Sequence, residues 1–456
     1  MKRIILSAAL VAIVMSLVPQ SADAQFFKKL GKALGEAAGI TTESSSSTTD
    51  QRGNAVTKRV SESNESATAD TADPAEKGKA KYQIHTTAST KTITVRGGAD
   101  RLHQFSCGVA VVKYKNGWFV IDKQGNRLFD LPEDYVPVGA DDPKNVKFDH
   151  DRMLIRKSVN YSGYDVKIID KQGHIVKELG MANELWPFVD GVARLSVRKG
   201  FKTDEFYINT NGERIGTQTP FSKVYHLVNG VRCYQDPETK KWGYCDANMN
   251  IVLPAKFKDL GSPHNGLAQA QNTDDLWGFV NKQGAWVVKP QYSLPVGSFE
   301  GPYAIIIDRQ GCTYYMDKSG KLVWQNPSPQ ETKITAFRPE GYSVWTMYND
   351  SIAPAYAPMH IVDASFKKVG EIDRRYVEID PSGEIVTSNA QWFQWHDSYG
   401  DHRLFDWKGN LLLEFNDLNN SVFSEGLCPT YQEYQYNCFY INERGEIIVK
   451  FEDTKF

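Results

Sequence analysis

One corner recurs along this chain and limits its fold more than any other feature. Two or more apolar or aromatic residues are followed by Asp or Asn, two variable residues and, in most copies, Gly. The Asx residues are Asp122, Asp170, Asn209, Asp246, Asn281, Asp317, Asp363, Asp406 and Asn442. They step by 48, 39, 37, 35, 36, 46, 43 and 36 residues, a mean of 40. Seven copies carry the Gly; Met249 and Phe366 take its place in the other two. A fixed period of this size marks a repeat architecture. The chemistry of the corner is specific. An Asx side chain can accept a backbone N–H two residues on. Gly three residues on takes the left-handed conformation without steric cost, which closes a three-residue hairpin loop. Each copy therefore predicts strand, tight turn, antiparallel strand.

A second anchor precedes most corners. Gly108, Gly191, Gly230 and Gly266 are each followed by a short apolar segment, and Gly301, Gly341 and Gly426 hold the same place. The pattern predicts a first strand opening at that Gly. In the sixth unit, Tyr303–Ile307, Cys312–Met316 and Lys321–Trp324 read as three successive strands. The expected fold is all-β: a tandem array of about nine antiparallel β-meander repeats of three to four strands each. Nine unequal units exceed the four to eight blades typical of a propeller. A curved, open, solenoid-like stack is therefore expected, with a β-propeller-like closed ring as the alternative.

Two units carry a further signature. Trp242-Gly243-Tyr244-Cys245-Asp246 and Trp277-Gly278-Phe279-Val280-Asn281-Lys282-Gln283-Gly284 resemble the bacterial WG repeat. The match continues through Trp286-Val287-Val288-Lys289-Pro290, and upstream Asn265-Gly266-Leu267-Ala268 is similar to the family's opening. The resemblance extends in weaker form over roughly 105–450. It implies a repeat-built, often exported, non-catalytic module. A Trp buries up to about 250 Å², and a neighbouring Gly lets backbone approach closely. Trp242 and Trp277 are accordingly assigned to a core between units.

The first 81 residues read differently. Met1-Lys2-Arg3, an apolar run from Ile4 to Val18 and Ala22-Asp23-Ala24 follow the order of a secretory signal, which predicts cleavage between Ala24 and Gln25. Phe27, Leu30 and Leu34 share one helical face in a short amphipathic tail over 25–40. Residues 41–81 are rich in Ser, Thr, Ala, Asp and Glu, too poor in apolar material to offset ordering entropy, and are expected to be a disordered linker. The repeat domain then spans 82–456. No later run approaches membrane-spanning length. The location expected is periplasm, cell surface or medium.

Function is less legible. With 53 Lys+Arg against 55 Asp+Glu, the chain lacks the basic surplus of a nucleic-acid binder. No metalloprotease, nucleophile-elbow, P-loop or dinucleotide motif is present, and no cofactor or metal is expected. The richest local cluster runs from Trp392 to His402 and holds Trp395, His396 and Asp397. Its rings could stack on sugars, and His396, Asp397 and His402 could bind a metal or move protons. A strand with alternating faces accounts for the same spacing. Cys233 with Cys245, and Cys428 with Cys438, lie on paired strands of two hairpins, where cross-strand disulfides are the simplest pairing in an oxidising compartment. The expected role is a protein- or glycan-binding scaffold of the cell envelope. The alternative is a carbohydrate-active enzyme or glycan-binding protein using 392–402.

Overall fold

The computed structural model describes residues 79–84, 93–95 and 99–451, the last without short stretches at 143–144, 160–162, 217–220, 328–331, 348–356, 376, 378, 380–382, 397–400, 417–421 and 433–436. The expected signal and amphipathic tail, and all but the last residues of the linker, lie outside the described residues. No α-helix occurs among the described residues.

Nine small sheets follow one another along the chain: sheet 1 over 101–130, sheet 2 over 136–182, sheet 3 over 184–215, sheet 4 over 223–257 and sheet 5 over 259–292. Sheet 6 spans 304–325, sheet 7 spans 332–372, sheet 8 spans 384–416, and sheet 9 spans 428–451. Neighbouring strands are antiparallel throughout, except that Ile93–Val95 joins sheet 9 parallel to Ile447–Phe451.

The Asx corner makes each last hairpin. Asp246 Oδ1 accepts the N–H groups of Asn248 and Asn250 at 2.9 and 2.8 Å. Asn281 Oδ1 accepts those of Gln283 and Ala285, both at 3.0 Å. Gly284 has φ +71°, and the same geometry recurs in every unit, with Met249 at +65° and Phe366 at +63° where Gly is missing. Those side chains explain the exception. Met249 is buried between sheets 3 and 4, and Phe366 stacks on Tyr303 with centroids 5.1 Å apart. Left-handed backbone costs roughly 1–2 kcal/mol, and burying a large apolar side chain returns about as much or more.

A first strand opens after Gly301 and Gly426, as expected, but not after the other anchors. Gly108, Gly191, Gly230, Gly266 and Gly426 are the second residues of two-residue turns whose first residues, Cys107, Asp190, Asn229, Asn265 and Glu425, also have positive φ. Two positive φ values define the mirror-image hairpin turn. Whereas Cys428–Gln432 after Gly426 is an edge strand of sheet 9, the next strand after Gly108, Gly191, Gly230 and Gly266 is the second of its sheet. A two-residue strand such as Arg101–Leu102 or Asp259–Leu260 precedes it and supplies the fourth member in most units.

Alternation along the middle strands then sets the packing. In sheet 1, Val109, Val111, Trp118 and Val120 face sheet 2, whereas Ala110, Val112, Phe119 and Ile121 face sheet 9. Nine apolar clusters result, and each joins consecutive sheets. The ninth lies between sheets 9 and 1, so the stack closes into a propeller-like ring instead of remaining open. Tyr440 donates its hydroxyl to the His103 carbonyl at 2.6 Å, Ser424 donates to Phe105 O at 2.7 Å, and the Gly108 N–H donates to the Glu425 carboxylate at 3.1 Å. The physical reason is area. An open stack would expose the cluster that includes Phe105, Phe119, Leu427 and Tyr440, at roughly 1.5–3 kcal/mol per large side chain.

Candidate functional site

The aromatic and histidine cluster at 392–402 is divided by its own strand. Trp392 packs between sheets 8 and 9, while Trp395, 1% exposed, packs between sheets 7 and 8. A spacing of three in a strand places two side chains on opposite faces, so no common sugar-stacking platform forms. His402 is buried, with its ring parallel to those of His396 at 4.5 Å and Phe415 at 5.4 Å, and its Nδ1 pairs with Gln394 at 2.8 Å. Among the described residues, no group of three or more His, Cys, Asp or Glu side chains could hold a metal ion.

The repeat signature is structural. Trp242 is buried between sheets 4 and 5 and stacks on Tyr225 with centroids 5.0 Å apart; Trp277 is buried between sheets 5 and 6. A Cβ on Gly243 would fall within 2.9 Å of the Ala255 N and Pro254 C atoms, and one on Gly278 would lie 2.5 Å from Val288 O. Both glycines sit where the pairing with the fourth strand shifts register.

The expected disulfides do not form. Cys233 contributes to the cluster between sheets 4 and 5, and Cys245 to that between sheets 3 and 4. Cys428 faces sheet 8, and Cys438 faces sheet 1. Each pair lies on paired strands but on opposite faces of its sheet, so the thiols point apart. Burial raises the Cys245 thiol to about 12 and the Cys438 thiol to about 11.

A different place converges on chemistry. Between sheets 3 and 4 lies a cleft of about 470 Å³ whose lining includes Trp186, Val189, Arg194, Tyr207, Phe221, Lys223, His226 and Arg232. Two arginines enter it from facing sheets. Arg194 follows Val192 by two, and Arg232 precedes Tyr234 by two, and both of those neighbours belong to the apolar cluster between these sheets. Alternation therefore turns both guanidinium groups inward. Arg232 is only 2% exposed. It donates to Val189 O at 3.0 Å and Asp190 O at 2.8 Å, and its Nη1 lies 3.4 Å from the Asp190 carboxylate. Arg194 pairs with Glu205 and lies over the Trp186 ring, 4.9 Å from its centroid.

Asp190 organises this end of the cleft. Its carboxylate accepts the Leu227 N–H at 2.7 Å and lies 3.4 Å from His226 Nδ1. The bond with His226, helped by Leu227 and Arg232, holds its pKa down to about 2. Tyr207 accepts the Phe221 N–H at 3.1 Å, and burial raises its hydroxyl to about 12. Among the described residues, the Nε atoms of Arg194 and Arg232 find no acceptor and are enclosed by protein.

Sequence reasoning missed this cleft, because two arginines 38 residues apart form no motif. The signal lay in Val192-Ala193-Arg194-Leu195 and Val231-Arg232-Cys233-Tyr234, where a charge occupies an inward position of a buried strand.

Residues 242–275 and 277–307 match the family described as WG containing repeat. No curated protein matches the chain. Among solved structures, the chain is similar to a eukaryotic initiation factor, with 12% identity and a TM-score of 0.47 over 77% of this chain and 92% of that one. It is also similar to the computationally designed protein Ika8, with 10% identity and a TM-score of 0.39 over 79% and 99%. A third likeness is to BamB from Moraxella catarrhalis, with 10% identity and a TM-score of 0.32 over 71% and 98%. Likeness at these TM-scores says nothing about function.

Proposed function

We propose that this chain, a WG-repeat protein closed into a ring of nine sheets, is exported and serves as a non-catalytic scaffold in the cell envelope, binding a partner protein or a glycan. The signal pattern of residues 1–24 supports export. No helix among the described residues is long and apolar enough to cross a membrane. One observation carries the binding reading. The cleft between sheets 3 and 4 combines largely apolar walls with the polar side chains of Arg194, Lys223, His226 and Arg232, and ligands bind in sites of that kind.

The non-catalytic reading has its own support. A carboxylate held at about 2 is a weak base at neutral pH, far from the value a general base needs. Asp190 therefore anchors its neighbours instead of moving protons. The enzyme alternative loses its stacking platform with the division of Trp392 from Trp395.

The test uses residues 25–456. Cross-linked capture from the envelope fraction and a glycan array are run beside Trp186→Ala, which opens the cleft mouth. A partner or glycan held by the native chain and lost from the variant is expected. Retention by both, or by neither, removes the cleft from the reading. Fractionation of the full-length chain checks export, and recovery in the cytosol ends that part.

A further inference from the structure

We infer that the hairpin end of sheet 3 docks on an anionic phospholipid surface, with Phe201 entering the interface and the basic residues around it meeting the headgroups. This goes beyond the scaffold role and does not use the cleft. It starts from exposure. Phe201 is 110% exposed, whereas the other exposed large apolar side chains fall between 39% and 52%. Partly exposed apolar side chains are ordinary on a protein surface, but this ring lies wholly in water. The backbone puts it there. Lys199 pairs with Lys202, so Gly200 and Phe201 form a two-residue turn, in which Gly200 alone has a positive φ, +65°. Gly at the first central position marks the II′ hairpin turn, and nothing in that turn requires an aromatic residue after the Gly. The strands that carry it, Val192–Lys199 and Lys202–Asn209, have eight residues each, more than the second and third strands of the other sheets among the described residues. Gly200 lies four residues beyond Ser196, the last buried residue of the outgoing strand, which is about 13 Å at roughly 3.3 Å per residue.

Charge supplies the complement. The run Arg198-Lys199-Gly200-Phe201-Lys202-Thr203 is exposed throughout and holds three cations and no acid. Behind it, Asp204 is shared by Lys199 at 3.5 Å and Arg214 at 2.9 Å, and Glu205 is held by Arg194. Arg198 and Lys202 have no ion pair among the described residues. The corresponding turn of sheet 4 balances Asp236 and Glu238 with Lys240 and Lys241, so the neighbouring hairpin does not oppose this basic end. An apolar group set among cations seats in the headgroup region of an anionic bilayer, where amphipathic elements enter by about 5–10 Å and each nearby Lys or Arg is attracted. The hairpin end is long enough for that depth. A protein partner fits less well. A stable protein interface takes about 800 Å² from each side with matched shapes, and a two-residue turn bearing one ring is small and convex. A lipid surface requires no matching shape.

Co-sedimentation of residues 25–456 with vesicles tests the inference, with phosphatidylcholine alone set against an equal mixture of phosphatidylcholine and phosphatidylglycerol. Partition onto the anionic vesicles about tenfold above the neutral ones, and weakened by added salt, is expected. Phe201→Ala should lower that partition about tenfold by removing the inserted ring. Lys202→Glu should lower it about fivefold or more through charge. Both variants should melt with the native chain, because both residues are exposed. No partition, equal partition onto neutral vesicles, or partition unchanged in either variant overturns the inference. So does loss of an envelope partner from Phe201→Ala without vesicle binding, which would assign the hairpin end to a protein.

Discussion

Three glycines separate the physical roles that this residue plays in the repeat, and alanine at each gives a graded outcome. At Gly243 a Cβ would lie well inside 3.0 Å of the Leu253 carbonyl oxygen and 2.9 Å from Ala255 N and Pro254 C. All three are backbone atoms of the next strand, in an interior packed too densely to yield. Overpacking of this kind costs roughly 1–3 kcal/mol. Displacing the fourth strand also weakens ladder bonds worth about 1 kcal/mol each. Gly243→Ala should therefore destabilise by about 3 kcal/mol or more. At Gly266 nothing lies within 4 Å of the added Cβ, but φ is +88°, so only the left-handed penalty of roughly 1–2 kcal/mol applies. At Gly117, which precedes Trp118 in reversed order, φ is ordinary and the nearest atom is 3.7 Å away. Gly117→Ala should be neutral, or gain about 0.5 kcal/mol from the unfolded chain. Equilibrium urea unfolding followed by tryptophan fluorescence orders the three, provided the slopes agree. If Gly243→Ala costs no more than Gly266→Ala, close strand approach is not why Gly follows Trp in this repeat.

Acid should weaken the first sheet. His103 is buried with its ring beside Trp118, 5.7 Å between centroids, its Nδ1 lies 2.9 Å from Val111 O, and burial lowers its pKa to about 4. The unfolded chain binds that proton near pH 6.5, so stability is lost as pH falls from 6.5 to 4, by about 3 kcal/mol at roughly 1.4 kcal/mol per unit. Melting curves should show that slope, and His103→Gln should flatten it; an unchanged slope refutes the assignment. Asp190 acts lower. Its depressed pKa contributes stability that is present above about pH 4 and lost as pH falls through about 2. Partial exposure limits this to about 1–2 kcal/mol, and Asp190→Asn should remove the low-pH component alone. For the cysteines, alkylation of the unfolded chain without reductant should label all six, and a shortfall of two or four thiols would restore the disulfides.

What was legible in the sequence was local. The Asx corner names its own hydrogen bonds within four residues, so the hairpins of all nine sheets could be placed. In the sixth unit the three strands expected fall within a residue of Ala304–Ile307, Thr313–Met316 and Leu322–Gln325. The glycines before Val109, Val192, Val231 and Leu267 close two-residue turns, and such a turn looks like a strand start when the strand before it has only two residues. Ring closure was not legible, since Tyr440 meets the His103 carbonyl across 337 positions and no periodicity encodes which ends join. The cysteine pairing failed on parity. Cys233 stands opposite Tyr244, one place from Cys245, and a one-residue offset moves a side chain to the other face. The cleft needed the same parity argument applied to Arg194 and Arg232, together with knowledge that sheets 3 and 4 are neighbours.

The path of the N-terminal segment links this architecture to the proposed role. The Lys81 and Tyr82 N–H groups donate to Leu411 O and Leu412 O at 3.0 and 2.7 Å, on the last strand of sheet 8. Ile93–Val95 then pairs with the last strand of sheet 9 before the chain enters sheet 1. The segment therefore crosses the fourth-strand edges of two sheets and covers backbone groups that would otherwise invite pairing with another chain. The first described residues thus lie at the rim of sheet 8. In a ring of nine sheets the boundary between sheets 3 and 4 lies four and a half steps from sheet 8 in either direction. Under the proposed role, a tether holding the ring by its N-terminal segment would place the Arg194–Arg232 cleft on the side facing away from the anchor.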